Sequence, residues 1–329
     1  MENIICIVGP TASGKTGLAI ELAKAIDAEV ISADSMQIYK GLDVGTAKVT
    51  EEEAQGIPHH LIDICNVDEK FSVADFKKMC YDKIEEIISR GKKVIIAGGT
   101  GLYVNAVVYN MNFEDEEIDF ALREELQKIY EEKGNDYLYD MLKKIDPESA
   151  SKIHKNNVKR VIRAIEMAKN VKLKSVHMKE EEERIKKEES KYRFFVFCIE
   201  QDREYLYNRI NLRVDLMVKD GVLEEAKKVY DMKLPKDNTC MQAIGYKEFF
   251  PYFEGKITLE EAIDDLKKET RHYAKRQMTW FNNKLDCIKL DFNANVWTLH
   301  FIITATSVQL LDLSAVYYLL CNSLADAIH

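Results

Sequence analysis

At 329 residues the chain is long for one hydrophobic core, and its length fits two compact units or one core carrying a large insertion. With 46% hydrophobic and 31% charged residues it has the apolar material for a full core and lacks the composition of a disordered chain. A formal charge of -9 excludes a protein that coats nucleic-acid phosphates indiscriminately, so any RNA must meet local basic patches.

The seven cysteines are odd in number, scattered and free of any CxxC pair, so reduced thiols are expected and neither a disulfide framework nor a zinc site. The first apolar run, residues 4–8, is too short for the core of a signal peptide. A cytoplasmic protein without a membrane segment, acting as a monomer, is the expectation.

Residues 3–8 (NIICIV) read as a buried strand, followed by the glycine loop GPTASGKT and a helix with Leu18, Ala19, Leu22, Ala23 and Ile26 on one face. Residues 28–32 (AEVIS) and 93–97 (KVIIA) are further short strands, the second preceded by a helix over 73–90 that stops at Gly91. This alternation predicts an α/β fold, a parallel sheet flanked by helices. Residues 113–190 turn helical in pattern, rich in Glu and Lys, and predict a helical insertion whose closing charge run at 179–191 is a solvated helix face or loop. Residues 192–199 (YRFFVFCI) return the chain to the sheet, and Asp202 is placed to cap a helix reaching about Lys219. Thr258 and Glu261 have capping-box spacing at the start of a helix that runs to about Asn283. The expected organisation is a core over 1–112 and 191–293, an insertion over 113–190 and a tail over 294–329. The tail has no Lys or Arg from residue 296 on, and Asp312 in the middle of its apolar stretch argues against a membrane span. Packing onto the core, or an unstructured and aggregation-prone tail, is expected there.

Gly9, Pro10, Thr11, Ala12, Ser13, Gly14, Lys15 and Thr16 complete the phosphate-loop pattern GxxxxGK[ST], with the strand before it and the helix after it that its physics requires. The glycines let backbone N–H groups turn toward a phosphate, Lys15 supplies a cation, and the Thr16 hydroxyl can reach Mg²⁺. The motif does not specify whether the phosphates belong to a nucleotide, so ATP and other diphosphates stay open.

Asp34 follows the second strand directly, at the carboxyl edge where ligands sit in parallel sheets, and reads either as a turn cap or as a catalytic carboxylate. Asp63 is an alternative magnesium carboxylate. The loop GGTGLY (98–103) has a ligand reading, favoured by Thr100 at its apex, and a purely structural one. Residues 267–284 hold six Lys or Arg against one Glu, with Lys268, Arg271, Lys275 and Arg276 on a helix that also offers Tyr273, Trp280 and Phe281. Such a helix suits an RNA backbone, or packs in the core with a solvated basic face.

Together GPTASGKT, ISADSMQIYKGLDVGTAK, PHHLIDI, GGTGLY, RVIRAIE, QAIGYKE and RHYAKRQMTWF resemble the tRNA dimethylallyltransferase (tRNA isopentenyltransferase) family over roughly residues 1–290. The resemblance implies a P-loop NTPase-like core with a helical insertion domain. It implies transfer of a dimethylallyl group from dimethylallyl diphosphate to N6 of the adenosine 3′ of the tRNA anticodon. Asp34 then corresponds to the general base and Thr100 to the threonine beside the diphosphate, with Lys15, Thr16 and Arg213 at positions associated with the diphosphate and its Mg²⁺. Contacts to the anticodon stem-loop are implied for Asp34, Ser35, Met36 and Gln37, for Arg123, Lys159, Arg160 and Arg163, and for Gln242, Gly245, Tyr246 and Lys247. Arg271, Lys275 and Arg276 of the basic helix join that set. A small-molecule or nucleotide kinase, or a noncatalytic RNA-binding NTPase, is the competing reading.

Overall fold

The computed structural model describes residues 1–113, 119–170, 173–187, 190–235, 238–291 and 302. All but residue 302 of the tail expected over 294–329 therefore lies outside the described residues. Two compact units emerge: Met1–Val108 with the described residues from Lys191 on, and Tyr109–Ser190.

In chain order the elements are β1 (Glu2–Val8), α1 (Lys15–Ile26), β2 (Ala28–Ser32), α2 (Glu51–Ala54), β3 (His59–His60), α3 (Val73–Ser89), β4 (Lys93–Gly98) and α4 (Gly101–Val108). The second unit holds α5 (Phe120–Ile145), α6 (Pro147–Lys152), α7 (Val158–Asn170) and α8 (Lys174–Lys187). The first unit resumes with β5 (Tyr192–Glu200), α9 (Arg203–Lys219), α10 (Val222–Asp231), α11 (Phe250–Phe253), α12 (Leu259–Lys284) and β6 (Ile288–Asp291).

The sheet is wholly parallel, in the order β3-β2-β4-β1-β5-β6. β1 is central and buried on both faces, which is why it reads as an unbroken apolar run. Its side chains alternate: Ile5 and Ile7 pack with Leu18, Ala19, Leu22 and Ala23 of α1, while Cys6 on the opposite face neighbours Cys80 of α3. Buried Ile302 joins the α1 side of this core. A second core of the same unit gathers Ile38, Leu42, Val214, Val222, Tyr246, Phe249 and Leu266. The second unit has its own core, built by Leu122, Leu126, Leu138, Leu142, Val161, Ile162 and Ile165, and α5 kinks at Gly134, where φ is 80°.

The local signals act as read. Asp202 accepts the N–H groups of Glu204 and Tyr205, and Thr258 and Glu261 form a reciprocal capping box. The edge strands β3 and β6, two and four residues long, carry too little pattern to be legible in the sequence.

Candidate active site

Strand register brings three loops to one edge. Val8 lies beside Gly98 and Cys198, and Ser32 beside Ala97, so β1, β2 and β4 end at the same level. From those ends run the phosphate loop, the Asp34 turn and the GGTG loop, at the edge where a parallel sheet binds its ligands.

The phosphate loop faces a cavity of about 1180 Å³ whose other walls come from residues 43–53, 62–63 and the side of α9 carrying Arg209 and Arg213. Gly14 caps α1 in the left-handed region (φ 92°) and, having no side chain, leaves the first N–H groups of the helix without a cap from that residue. Lys15 Nζ donates to the Pro10 carbonyl at 2.6 Å. Burial, then the nearby Arg213 charge, lowers the Lys15 pKa to about 8 against an opposing pull from Asp34. Burial likewise lowers Arg213, again opposed by Asp34. Thr16 stands exposed in the cavity lining, and Ser13 Oγ is buried with no partner among the described residues.

Side chains from remote parts of the same unit hold the loop. Gln277 of α12 accepts the Thr11 N–H at 2.8 Å and donates to the Gly99 carbonyl at 2.9 Å, tying the phosphate loop to the GGTG loop. Arg209 Nε donates to the Ala12 carbonyl at 2.8 Å, Gln201 Nε2 to that of Ser13 at 3.1 Å, and Arg213 Nη1 to Thr11 Oγ1 at 3.4 Å. The sequence does not single out Gln277 or Gln201, although Arg209 and Arg213 stand one helical turn apart.

Asp34 caps its turn, one of the two readings the sequence left open, and its charge reaches the cations of the site. Its Oδ1 accepts the N–H groups of Met36 (2.9 Å) and Gln37 (3.4 Å) and so caps the turn. Its charge meanwhile acts on Lys15, Arg213 and Tyr273; burial first, then Asp34, raises the Tyr273 phenol. Thr100 Oγ1 accepts the Ser35 N–H at 2.9 Å, joining the GGTG loop to the Asp34 turn. Asp63 also lines the cavity, but its Oδ1 is held 2.5 Å from Lys48 Nζ.

Packing explains the glycines of the second loop. A Cβ at Gly98 would stand 2.2 Å from the Ala33 carbonyl oxygen, one at Gly99 2.2 Å from Gln277, and one at Gly101 2.2 Å from the Trp280 ring. Close approach of the chain to itself is sufficient reason for all three.

The α12 helix packs one face in the core and leaves a solvated basic face. Leu266, Ala274, Gln277 and Phe281 are buried, while Lys275 and Arg276 are exposed, Arg276 lying 5.7 Å from the Tyr273 ring centroid. Arg271 donates to Asn211 at 2.6 Å.

Not every residue implied to touch tRNA offers its side chain outward. Tyr246 is fully buried, its hydroxyl 2.8 Å from Glu225, which corrects its expected place on a tRNA-contacting surface. Gly245 is buried as well, whereas Gln242 is exposed and Lys247 half-buried. The Gln37 amide is engaged inside the fold, donating to the carbonyls of Thr46 and Ala47 and accepting from Ser32. In the second unit, Arg123 and Arg163 both pair with buried Glu166 at 2.8 Å, while Lys159 and Arg160 of α7 are exposed.

A parallel sheet with a phosphate loop between β1 and α1, and with its other active loops at the same edge, defines a P-loop NTPase-like protein. The sequence profile described as IPP transferase matches residues 37–284, and the chain belongs to that family. It is 53% identical over 281 residues to the tRNA dimethylallyltransferase of Acetivibrio thermocellus, covering 85% of this chain and 89% of that one. Among solved structures, the tRNA isopentenylpyrophosphate transferase of Bacillus halodurans is similar at a TM-score of 0.68 and 45% identity, covering 92% of this chain and 96% of the other. A eukaryotic dimethylallyltransferase acting on tRNA is similar at a TM-score of 0.76 and 30% identity, over 94% and 82% of the two chains. Among the described residues no helix is long and apolar enough to cross a membrane.

Proposed function

We propose that this chain is a tRNA dimethylallyltransferase that moves the dimethylallyl group of dimethylallyl diphosphate to N6 of adenosine 37, 3′ of the anticodon. The observation that carries the reading is the position of Asp34: a carboxylate acting on the loop cations Lys15 and Arg213, in a turn bonded to Thr100. The relatives' names support it, since they are tRNA-modifying prenyl transferases.

The exocyclic amine attacks the allylic carbon, a C–N bond forms as the C–O bond breaks, and the electron pair leaves on the diphosphate. Lys15, Arg213 and the uncapped N–H groups of α1 stabilise the charge that grows there, each donor contributing about 3 kcal/mol if it acts as oxyanion donors do. Ser13 Oγ, buried and without a partner among the described residues, gains an acceptor when a diphosphate oxygen arrives. Asp34 takes the amine proton; Oδ1 serves the turn, so Oδ2 is the oxygen for this step.

The residues present fit Mg²⁺ held jointly with substrate. No group of three or more His, Cys, Asp or Glu that could hold a metal stands among the described residues, but the Thr16 hydroxyl and the Asp63 carboxylate share the cavity. Thr16 would hold the ion with diphosphate oxygens and water, the coordination such a small hard cation prefers. When bound, it neutralises charge on the departing diphosphate.

Each unit offers basic residues to the tRNA backbone, Lys159 and Arg160 in one, Lys275 and Arg276 in the other. The target base is read outside its stack, and the polar turn Asp34 to Gln37 is suited to contacting its edges. The setting is cytoplasmic, and ATP would enter the loop only as a competitor of the donor.

Transfer of label from radiolabelled dimethylallyl diphosphate to unmodified tRNA with Mg²⁺, run beside ATP binding, tests the reading. Labelled tRNA supports it; no label together with tight ATP binding replaces it with a kinase or NTPase.

A further inference from the structure

Glu225 of α10 gathers four donors in a site where it is 9% exposed. Its Oε2 accepts the N–H groups of Asp43 (2.9 Å) and Val44 (3.0 Å), and its Oε1 accepts the Gly45 N–H (2.9 Å) and the Tyr246 hydroxyl (2.8 Å). Three successive backbone N–H groups thus close on one buried carboxylate, a charge-assisted arrangement about twice as strong per bond as neutral pairs. The surroundings leave no slack: a Cβ at Gly45 would stand 2.6 Å from the Tyr246 ring, and one at Gly245 would stand 2.9 Å from the Gly45 carbonyl oxygen.

The clamped segment is a wall of the phosphate-loop cavity, which Asp43, Val44, Ala47 and Lys48 line. Lys48, its side chain 6% exposed, fastens the same segment by donating to the Tyr39 carbonyl (2.6 Å), Asp43 (2.7 Å) and Asp63 (2.5 Å). One residue beyond the clamp the wall meets the Asp34 turn. Gln37 Nε2 donates to the carbonyls of Thr46 (3.2 Å) and Ala47 (3.3 Å), and the Gln37 N–H donates to Asp34 Oδ1 (3.4 Å). A continuous set of hydrogen bonds therefore joins a glutamate on α10 to the carboxylate beside the loop cations.

We propose that Glu225 is a positioning residue for prenyl transfer: it touches neither substrate and sets, through residues 43–47 and Gln37, the orientation of Asp34. The inference rests on the reading of Asp34 as the base. It also assigns Tyr246 and Gly245 a task inside the fold, as the far side of the same clamp.

The test is a double-mutant cycle of Glu225→Gln and Asp34→Asn, with Tyr246→Phe as a milder probe. Glutamine keeps the volume but turns an NH₂ group toward backbone donors. Turnover in Glu225→Gln is expected to fall about 10- to 100-fold, the usual loss when a partner that orients a reacting group is removed. The affinity for inorganic diphosphate stays within about twofold, because Gln277, Arg209 and Gln201 hold the phosphate loop independently of Glu225. In the Asp34→Asn background the same substitution should cost less than about threefold, and Tyr246→Phe should shift turnover in the same direction by a smaller factor. Full turnover in Glu225→Gln overturns the proposal, as does an equal loss in both backgrounds. A parallel loss of diphosphate binding and turnover also overturns it, making Glu225 a general support of the fold. Full turnover in Asp34→Asn alone is a different failure, that of the base assignment itself.

Discussion

The carboxamide oxygen of Gln277 accepts the backbone N–H of Thr11 across 266 positions of sequence, at 2.8 Å, while its nitrogen holds the Gly99 carbonyl. One buried side chain of α12 thereby sets the spacing of the two glycine loops. Replacing it with leucine leaves a donor and an acceptor unpaired, at a cost of about 1–3 kcal/mol for each group that stays buried. Chemical denaturation of Gln277→Leu should show that loss, and titration with inorganic diphosphate should show weaker binding. Unchanged binding would mean that the loop keeps its shape without the tie.

Asp34→Asn retains a carbonyl oxygen for the Met36 N–H, so the turn survives while the proton acceptor is removed. Turnover should fall by about 10² to 10⁴-fold with tRNA affinity nearly intact. Single-turnover transfer beside tRNA binding measures both, and wild-type turnover in the variant would remove Asp34 from the chemistry.

The lowered pKa of Lys15, about 8, gives diphosphate binding a pH dependence. The cation is the binding form, so affinity should weaken as pH rises through about 8 in the free protein, approaching tenfold per pH unit if only protonated Lys15 binds. Stability moves the other way. The folded state holds fewer protons than the unfolded chain between about 8 and 10.5, so this group makes the protein more stable as pH rises across that window, by up to about 1.4 kcal/mol per unit. Lys15→Met should remove the Lys15 share of both dependences, read as the difference from the wild type in calorimetric titration and in denaturation at several pH values.

Lys275 and Arg276 are exposed on α12 while its other face is engaged in the core. Alanine at either position should weaken tRNA binding and make the slope of log affinity against log salt shallower by roughly 0.7–0.9 for each phosphate that is no longer neutralised. A slope equal to that of the wild type would place those side chains away from the backbone of the RNA.

What the sequence revealed follows the range of the interaction. Caps and strands act within a few residues, so Asp202, Thr258 with Glu261, and the apolar runs at β1 and β2 are legible from their neighbours alone. The phosphate loop is legible for the same reason. Gln277, Gln201 and Glu225 act on loops about 180 residues or more away, and no local pattern marks them. Tyr246 shows a further limit: motif membership says that a residue recurs with its neighbours, not which way its side chain faces, and this one faces Glu225. The glycines at 98, 99 and 101 accommodate close approach of the chain to itself, the structural reading the sequence offered beside a ligand-binding one, and that approach comes from Ala33, Gln277 and Trp280, which no local pattern marks.

The order of the strands has a consequence for synthesis. β1, made before the other five strands of its sheet, lies between β4 and β5, and its Glu2 pairs with Tyr192. Translation at about 5–20 residues per second leaves that side of β1 without its partner for roughly 10 to 40 seconds, while the whole of the second unit is being made. An apolar strand with an open edge is a template for pairing with other nascent chains. The ribosome-bound intermediate is therefore a stage at which this protein is exposed to aggregation and at which a chaperone has an edge to cover.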